Sequence, residues 1–165
     1  LDPASHPGSH SHSIAMINIL PRLESEFAWL HRRPPTESEL MEFCERHGVP
    51  VVFREDVPTG VYVKAEDRHF IFLQSGLVGW MLRYVLSHEI AHFLFHSPSQ
   101  SSFAIEFFSK AMRRKNHLEA EQVAALMLLP PGELEFVYEY GADELYPEIA
   151  KLARLREKII HDYGI

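Results

Sequence analysis

The chain has 165 residues, 46% of them hydrophobic, enough for one domain with its own core. Its 16 Lys and Arg against 23 Asp and Glu leave a net charge of −7, which opposes non-specific binding to nucleic acid. No apolar run reaches the roughly 18 residues a membrane span needs, no secretory leader is visible, and a single cysteine, Cys44, excludes an internal disulfide and suits a reducing, cytoplasmic compartment.

Residues 1–13, LDPASHPGSHSHS, are rich in Ser, His and Pro and read as a flexible arm or a leftover of recombinant expression, with His6, His10 and His12 as loose metal binders at most. Apolar residues then recur at helical spacing through Ile14, Ile17, Leu20, Leu23, Phe27 and Leu30, with Pro21 expected to interrupt them. After the break at 32–35, Thr36 and Glu39 form a capping-box pattern that starts a helix, and His47-Gly48 ends it. Cys44 lies in this helix and reads as a small core residue. Residues 49–56, 61–65 and 68–74 read as three short strands joined by two turns, which predicts an antiparallel meander. The apolar stretch Leu77–Phe95 is too long for a strand and reads as a helix. A loop at 97–102 and a short helix or flap at 103–115 follow. Residues 117–129 form a strong helix stopped by Pro130-Pro131, and two helical stretches, 132–140 and 145–162, part near Gly141. The expected class is α+β: a small three-stranded antiparallel sheet packed on helices, with residues 132–165 as a short helical C-terminal extension on a domain spanning 14–131.

The chemistry concentrates in HEIAHFLFH, residues 88–96. His88 and His92 are four apart, so on a helix they lie about 40° apart and one turn along, and both rings reach one ion. Glu89 points elsewhere and is placed to take a proton from an attacking water. This is the H-E-x-x-H arrangement of zinc hydrolases. A catalytic zinc needs a third protein ligand and one open position. His96 lies roughly 80° round and 12 Å along from His88, which suits support of the site better than ligation. The metzincin position for a third histidine is occupied by Pro98. Glu119 and Glu121 open an otherwise apolar helix. They are about 200° apart, so only one can face the ion, and periodicity does not choose between them. An acidic first turn also simply favours the helix dipole. For the oxyanion the available donors are Tyr138, Tyr140 and His117. The cations of KAMRRK, 110–115, read as a solvated loop or as a flap that meets an acidic partner.

The pairing of HEIAHFLFH with EAEQVAALMLLP some two dozen residues later resembles the ImmA/IrrE family of metallopeptidases. The family pattern is H-E-x-x-H-x-x-x-H followed by Glu-Ala-Asn-x-Phe-Ala-Ala-x-Leu-Leu-x-Pro, and the resemblance covers about residues 36–131. Aligned on Pro130, Glu119 falls on the family's third zinc ligand, and Ala120, Ala124 and Leu128 agree; Glu121 stands at the asparagine position and Val123 at the phenylalanine. The resemblance implies a zincin-like domain with His88, His92 and Glu119 as zinc ligands and Glu89 as general base. It implies a cytoplasmic endopeptidase of narrow specificity whose substrate is a helix-turn-helix repressor, cut to release stress-response or mobile-element genes, with no direct nucleic-acid or membrane partner. The donor set suits zinc and also accepts manganese or iron. An extended substrate is expected to add beside RHFIFLQ, 68–74. Two other classes compete. In one, the metal is purely structural, with His96 or Glu121 as fourth ligand and no purpose for Glu89. In the other, the protein binds a repressor without cutting it and the metal site is vestigial.

Overall fold

The computed structural model describes residues 10–97, 110–141 and 146–165. The segments 1–9, 98–109 and 142–145 lie outside them, and with them most of the expected arm, the 97–102 loop and most of the 103–115 flap. Helix α1 spans His10–Glu26, so the last residues of the expected arm are already helical, and it runs through Pro21 without a break. The stripe it buries is Met16, Ile19 and Leu23, continued by Phe27 and Leu30, while Ile17 faces solvent at 65% exposure. Helix α2 (Glu37–Arg46) starts where its capping box predicts. The Glu39 N–H donates to Thr36 Oγ1 at 3.2 Å, the Thr36 N–H donates to Glu39 Oε2 at 2.9 Å, and Arg33 clamps both carboxylate oxygens. Phe43 and Cys44 on its inner face are buried, and burial pushes the Cys44 thiol up to about 12, leaving it inert.

The three strands fall where the alternation places them: β1 (Val51–Arg54), β2 (Gly60–Ala65) and β3 (Arg68–Gln74). Their arrangement corrects the expected antiparallel meander. The order is β1-β3-β2, with β1 parallel to β3 and only β2 and β3 antiparallel. The reason lies in burial. Strand β3 carries Ile71 and Leu73, both fully buried, whereas three of the four residues of β1 are exposed. Central placement gives the apolar strand a partner on each side, and the Glu55–Thr59 connection carries the chain past it rather than folding β1 and β2 into a hairpin. RHFIFLQ is therefore the middle strand, and the open edges belong to β1 and β2.

Helix α3 (Gly79–Ala91) packs across β2 and β3, and its backbone continues as a π-helical turn over His92–His96. Its start is pinned to α2: the Gly79 N–H donates to Glu37 Oε1 at 2.9 Å. Helix α4 (Lys110–Leu128) lies along α3 and α6. Helix α5 (Pro131–Glu139) begins at the predicted proline stop, and α6 (Pro147–Tyr163) packs back on α4. Arg156 on α6 is 1% exposed and donates from Nε to the Leu129 carbonyl at 3.0 Å, so a buried cation caps the end of α4. The core runs from Leu23, Leu40 and Phe43 through Ile71, Leu86 and Ile90 to Leu126 and Met127.

Candidate metal centre

The last turn of α3 delivers His88 and the π-helical turn delivers His92. Their Nε2 atoms face each other at 3.1 Å. Two nitrogens on one tetrahedral ion at about 2.0–2.1 Å each would stand roughly 3.3 Å apart. The spacing is thus that of two ligands on one ion. The third donor comes from α4. His117 brings a ring nitrogen to within 4.8 Å of both others, and its ring centre is 4.7 Å from that of His88. Burial first, and then the neighbouring His88, His96 and His117, push His92 down to about 3, and burial likewise lowers His117. His92 therefore stays neutral at physiological pH, the form that ligates a metal. The residues present fit a divalent cation.

One turn beyond His117 on the same face stands Glu121, buried to 3% exposure. Its Oε1 accepts from the Tyr84 hydroxyl at 2.7 Å and lies 3.1 Å from His88 Nδ1, and its Oε2 is 3.4 Å from Lys151 Nζ. The approach to His88 is close but off the hydrogen-bond direction, which leaves that Nδ1 buried without a bonded partner. Burial alone would push the Glu121 carboxyl up. His88, Tyr84 and Lys151 together outweigh it and hold the group at about 2. A buried anion behind His88 helps to set the ring's orientation.

Glu89 opens into the same pocket, a space of about 380 Å³. One of its oxygens, Oε2, accepts the Tyr62 N–H of β2 at 2.8 Å. Burial raises its carboxyl above the ordinary carboxylate range, against the opposing pull of His88 and the Tyr62 N–H. Gly60 makes this contact feasible. A Cβ there would stand 2.5 Å from Val85 Cγ1 and 3.2 Å from Glu89 Cγ, so only glycine lets β2 come this close to α3.

Residues 44–161, well over half of the chain, match the family Peptidase M78, the IrrE N-terminal-like domain. The chain belongs to the ImmA/IrrE family. Its architecture is the α+β, zincin-like one of that family, and membership supports a metallopeptidase-type function and a protein substrate in general terms. No curated protein sequence matches the chain significantly. Among the described residues no helix is long and apolar enough to cross a membrane.

Of the residues predicted for this IrrE-like site, His88, Glu89 and His92 come together. Glu119 stands apart from their Nε2 atoms: its Oε2 is 3.0 Å from His96 Nε2, and His96 Nδ1 is 2.9 Å from His92 Nδ1. His96 thus links Glu119 to the rear nitrogen of His92, the supporting position expected of it. Four residues make slightly more than one turn of α-helix but slightly less than one turn with i→i+5 bonds, so the π-helical turn places His96 on the other side of His92 from where an α-helix would put it. Tyr138 on α5 and Tyr140 at its C-terminal cap are exposed and do not line the pocket. Tyr84, Asn116 and Arg113 do; Tyr84 and Asn116 were not singled out from the sequence, and Arg113 was read only as one of the cations of KAMRRK. Tyr84 carried a usable signal, because it precedes His88 by one helical turn.

Proposed function

We propose that the chain is a zinc-dependent endopeptidase of narrow specificity, acting in the cytoplasm on a helix-turn-helix repressor and so releasing stress-response or mobile-element genes. The observation that carries the peptidase reading is the convergence of His88, His92 and His117 nitrogens beside the buried carboxylate of Glu89. The repressor as substrate rests on family membership.

His88 and His92 would hold the ion. For the third position the resemblance offers Glu119 and the geometry offers His117; the geometry favours His117, with Glu121 setting His88 from behind. Three imidazoles suit zinc and also accept iron, while manganese prefers carboxylate oxygen in the set. When bound, the ion supplies Lewis-acid polarisation of the scissile carbonyl and of the attacking water. Glu89 takes the proton of that water on the oxygen not held by Tyr62 and returns it to the leaving amine. Its raised proton affinity suits both halves of that transfer. The substrate backbone is read at the open edge of β2, which lines the pocket, rather than beside the central β3. Arg113 and Asn116 line the same pocket and would supply donors for the oxyanion.

The test compares the parent chain with Glu89→Gln. Each is assayed for metal by elemental analysis and incubated with a helix-turn-helix repressor encoded beside it. About one zinc per chain in both, with cleavage only by the parent, is expected. Cleavage that survives the substitution removes Glu89 from the chemistry. Metal in neither protein removes the ligand assignment.

A further inference from the structure

We propose that the groove between the start of α4 and the outer face of α6 docks an acidic segment of the substrate protein. The identity of that occupant rests on the peptidase reading; the character of the groove does not. It is a space of about 760 Å³ walled by Arg113 and Arg114 of α4 and by Lys151, Arg154 and Lys158 of α6, over the apolar Leu118 and Leu155.

Five cations ring this groove in a chain whose net charge is −7. On α6 they stand at positions 151, 154 and 158, so each is one helical turn from the next of like sign, a spacing that weakens a helix. Among the described residues Arg113, Arg114 and Arg154 have no carboxylate within ion-pair distance. Lys158 is answered by Asp162 at 2.6 Å and Lys151 reaches Glu121 at 3.4 Å. A face that costs helix stability and leaves three of its five cations without a carboxylate among the described residues fits a partner that brings the anions.

Place and floor narrow the partner to a peptide. The groove and the metal pocket share Arg113, His117 and Glu121, so a chain crossing the pocket passes directly into the groove. The leucines accept apolar side chains interspersed among carboxylates. A nucleic acid would meet the long-range repulsion of the net negative charge and would find an apolar floor instead of the wet, flat track that phosphates use.

The test reads binding, not cleavage. The full chain carrying Glu89→Gln is titrated with a fluorescein-labelled peptide alternating Glu and Leu, and with its Gln-Leu counterpart, by fluorescence anisotropy. The Glu peptide is expected to bind at least roughly tenfold tighter, with affinity falling as salt rises. Adding Arg114→Glu and Arg154→Glu is expected to abolish that preference while zinc content and melting temperature stay unchanged. Equal affinity for the two peptides overturns the proposal, as does a preference that survives both charge reversals. Displacement of the peptide by a tighter-binding single-stranded oligonucleotide also overturns it. Selective peptide binding without repressor cleavage by the parent would sink the peptidase reading and leave the groove standing. Cleavage without selectivity would do the reverse.

Discussion

His117 and Glu121 stand four residues apart on α4, so they share one face, and both side chains meet the pair of His88 and His92. His117 presents a nitrogen to His88 and His92, while Glu121 lies 3.1 Å behind His88 Nδ1. With that face turned to the pocket, Glu119 is carried about 200° from Glu121 and meets His96 instead. Replacing these residues one at a time therefore has graded consequences. His117→Ala is expected to weaken zinc binding by more than the roughly 10–100-fold typical of removing an outer support, Glu121→Gln by about that amount, and Glu119→Ala by less. Competition with a chromophoric chelator measures all three, and a larger loss from Glu119→Ala than from His117→Ala would return the third position to Glu119. The histidine pair and its glutamate were legible because their spacing is self-contained. The α4 contribution was legible only as a choice, since deciding which face of an all-apolar helix meets α3 needs the helix packing. Yet His117 and Glu121 repeat the very i, i+4 spacing of His88 and His92.

At the level of elements, local chemistry and topology separate cleanly. The capping box at Thr36 could be read residue by residue, because its partners are three apart in the chain. Here Glu39 is held down at about 2, chiefly by its hydrogen bonds from Arg33. A folded-state value below the unfolded one contributes stability above the ordinary carboxylate range, and that contribution is lost as pH falls from about 4.5 towards 2. Glu39→Gln keeps a capping acceptor but removes the charge. It is expected to lower stability at pH 7 by no more than the roughly 1 kcal/mol a cap is worth, seen as a small fall in melting temperature, and to flatten the pH dependence of melting over that acid window. Parallel melting curves for parent and variant between those pH values would show that the pairing adds nothing to stability. The sheet order was not legible in the same way. Two turns between three short strands allow a meander or an insertion, and the burial of Ile71 and Leu73 that decides for β3 in the middle is a property of the folded molecule. The π-helical turn at His92–His96 was invisible for a related reason, since HFLFH reads equally well as α-helix.

At the scale of the molecule, the candidate centre joins two long helices that are distant in sequence, with His88 and His92 on one and His117 on the other. Either side alone offers too few donors for a closed site, so the unfolded chain has no preformed centre and the ion binds the native state preferentially. Such a ligand stabilises by mass action, about 2.7 kcal/mol when its free concentration is a hundred times its dissociation constant. In a chain of this size that is expected to raise the melting temperature by roughly 5–10 °C. Scanning calorimetry of the chelator-treated protein, before and after zinc is restored, measures the shift. His117→Ala should melt close to the metal-free parent and gain little when zinc is added, because only one helix then holds the ion. A full zinc-dependent rise in that variant would mean that α4 grips the metal through another residue. No rise in the parent would mean that the two helices are held by their apolar contact alone, and that the facing nitrogens of His88 and His92 are not a metal site.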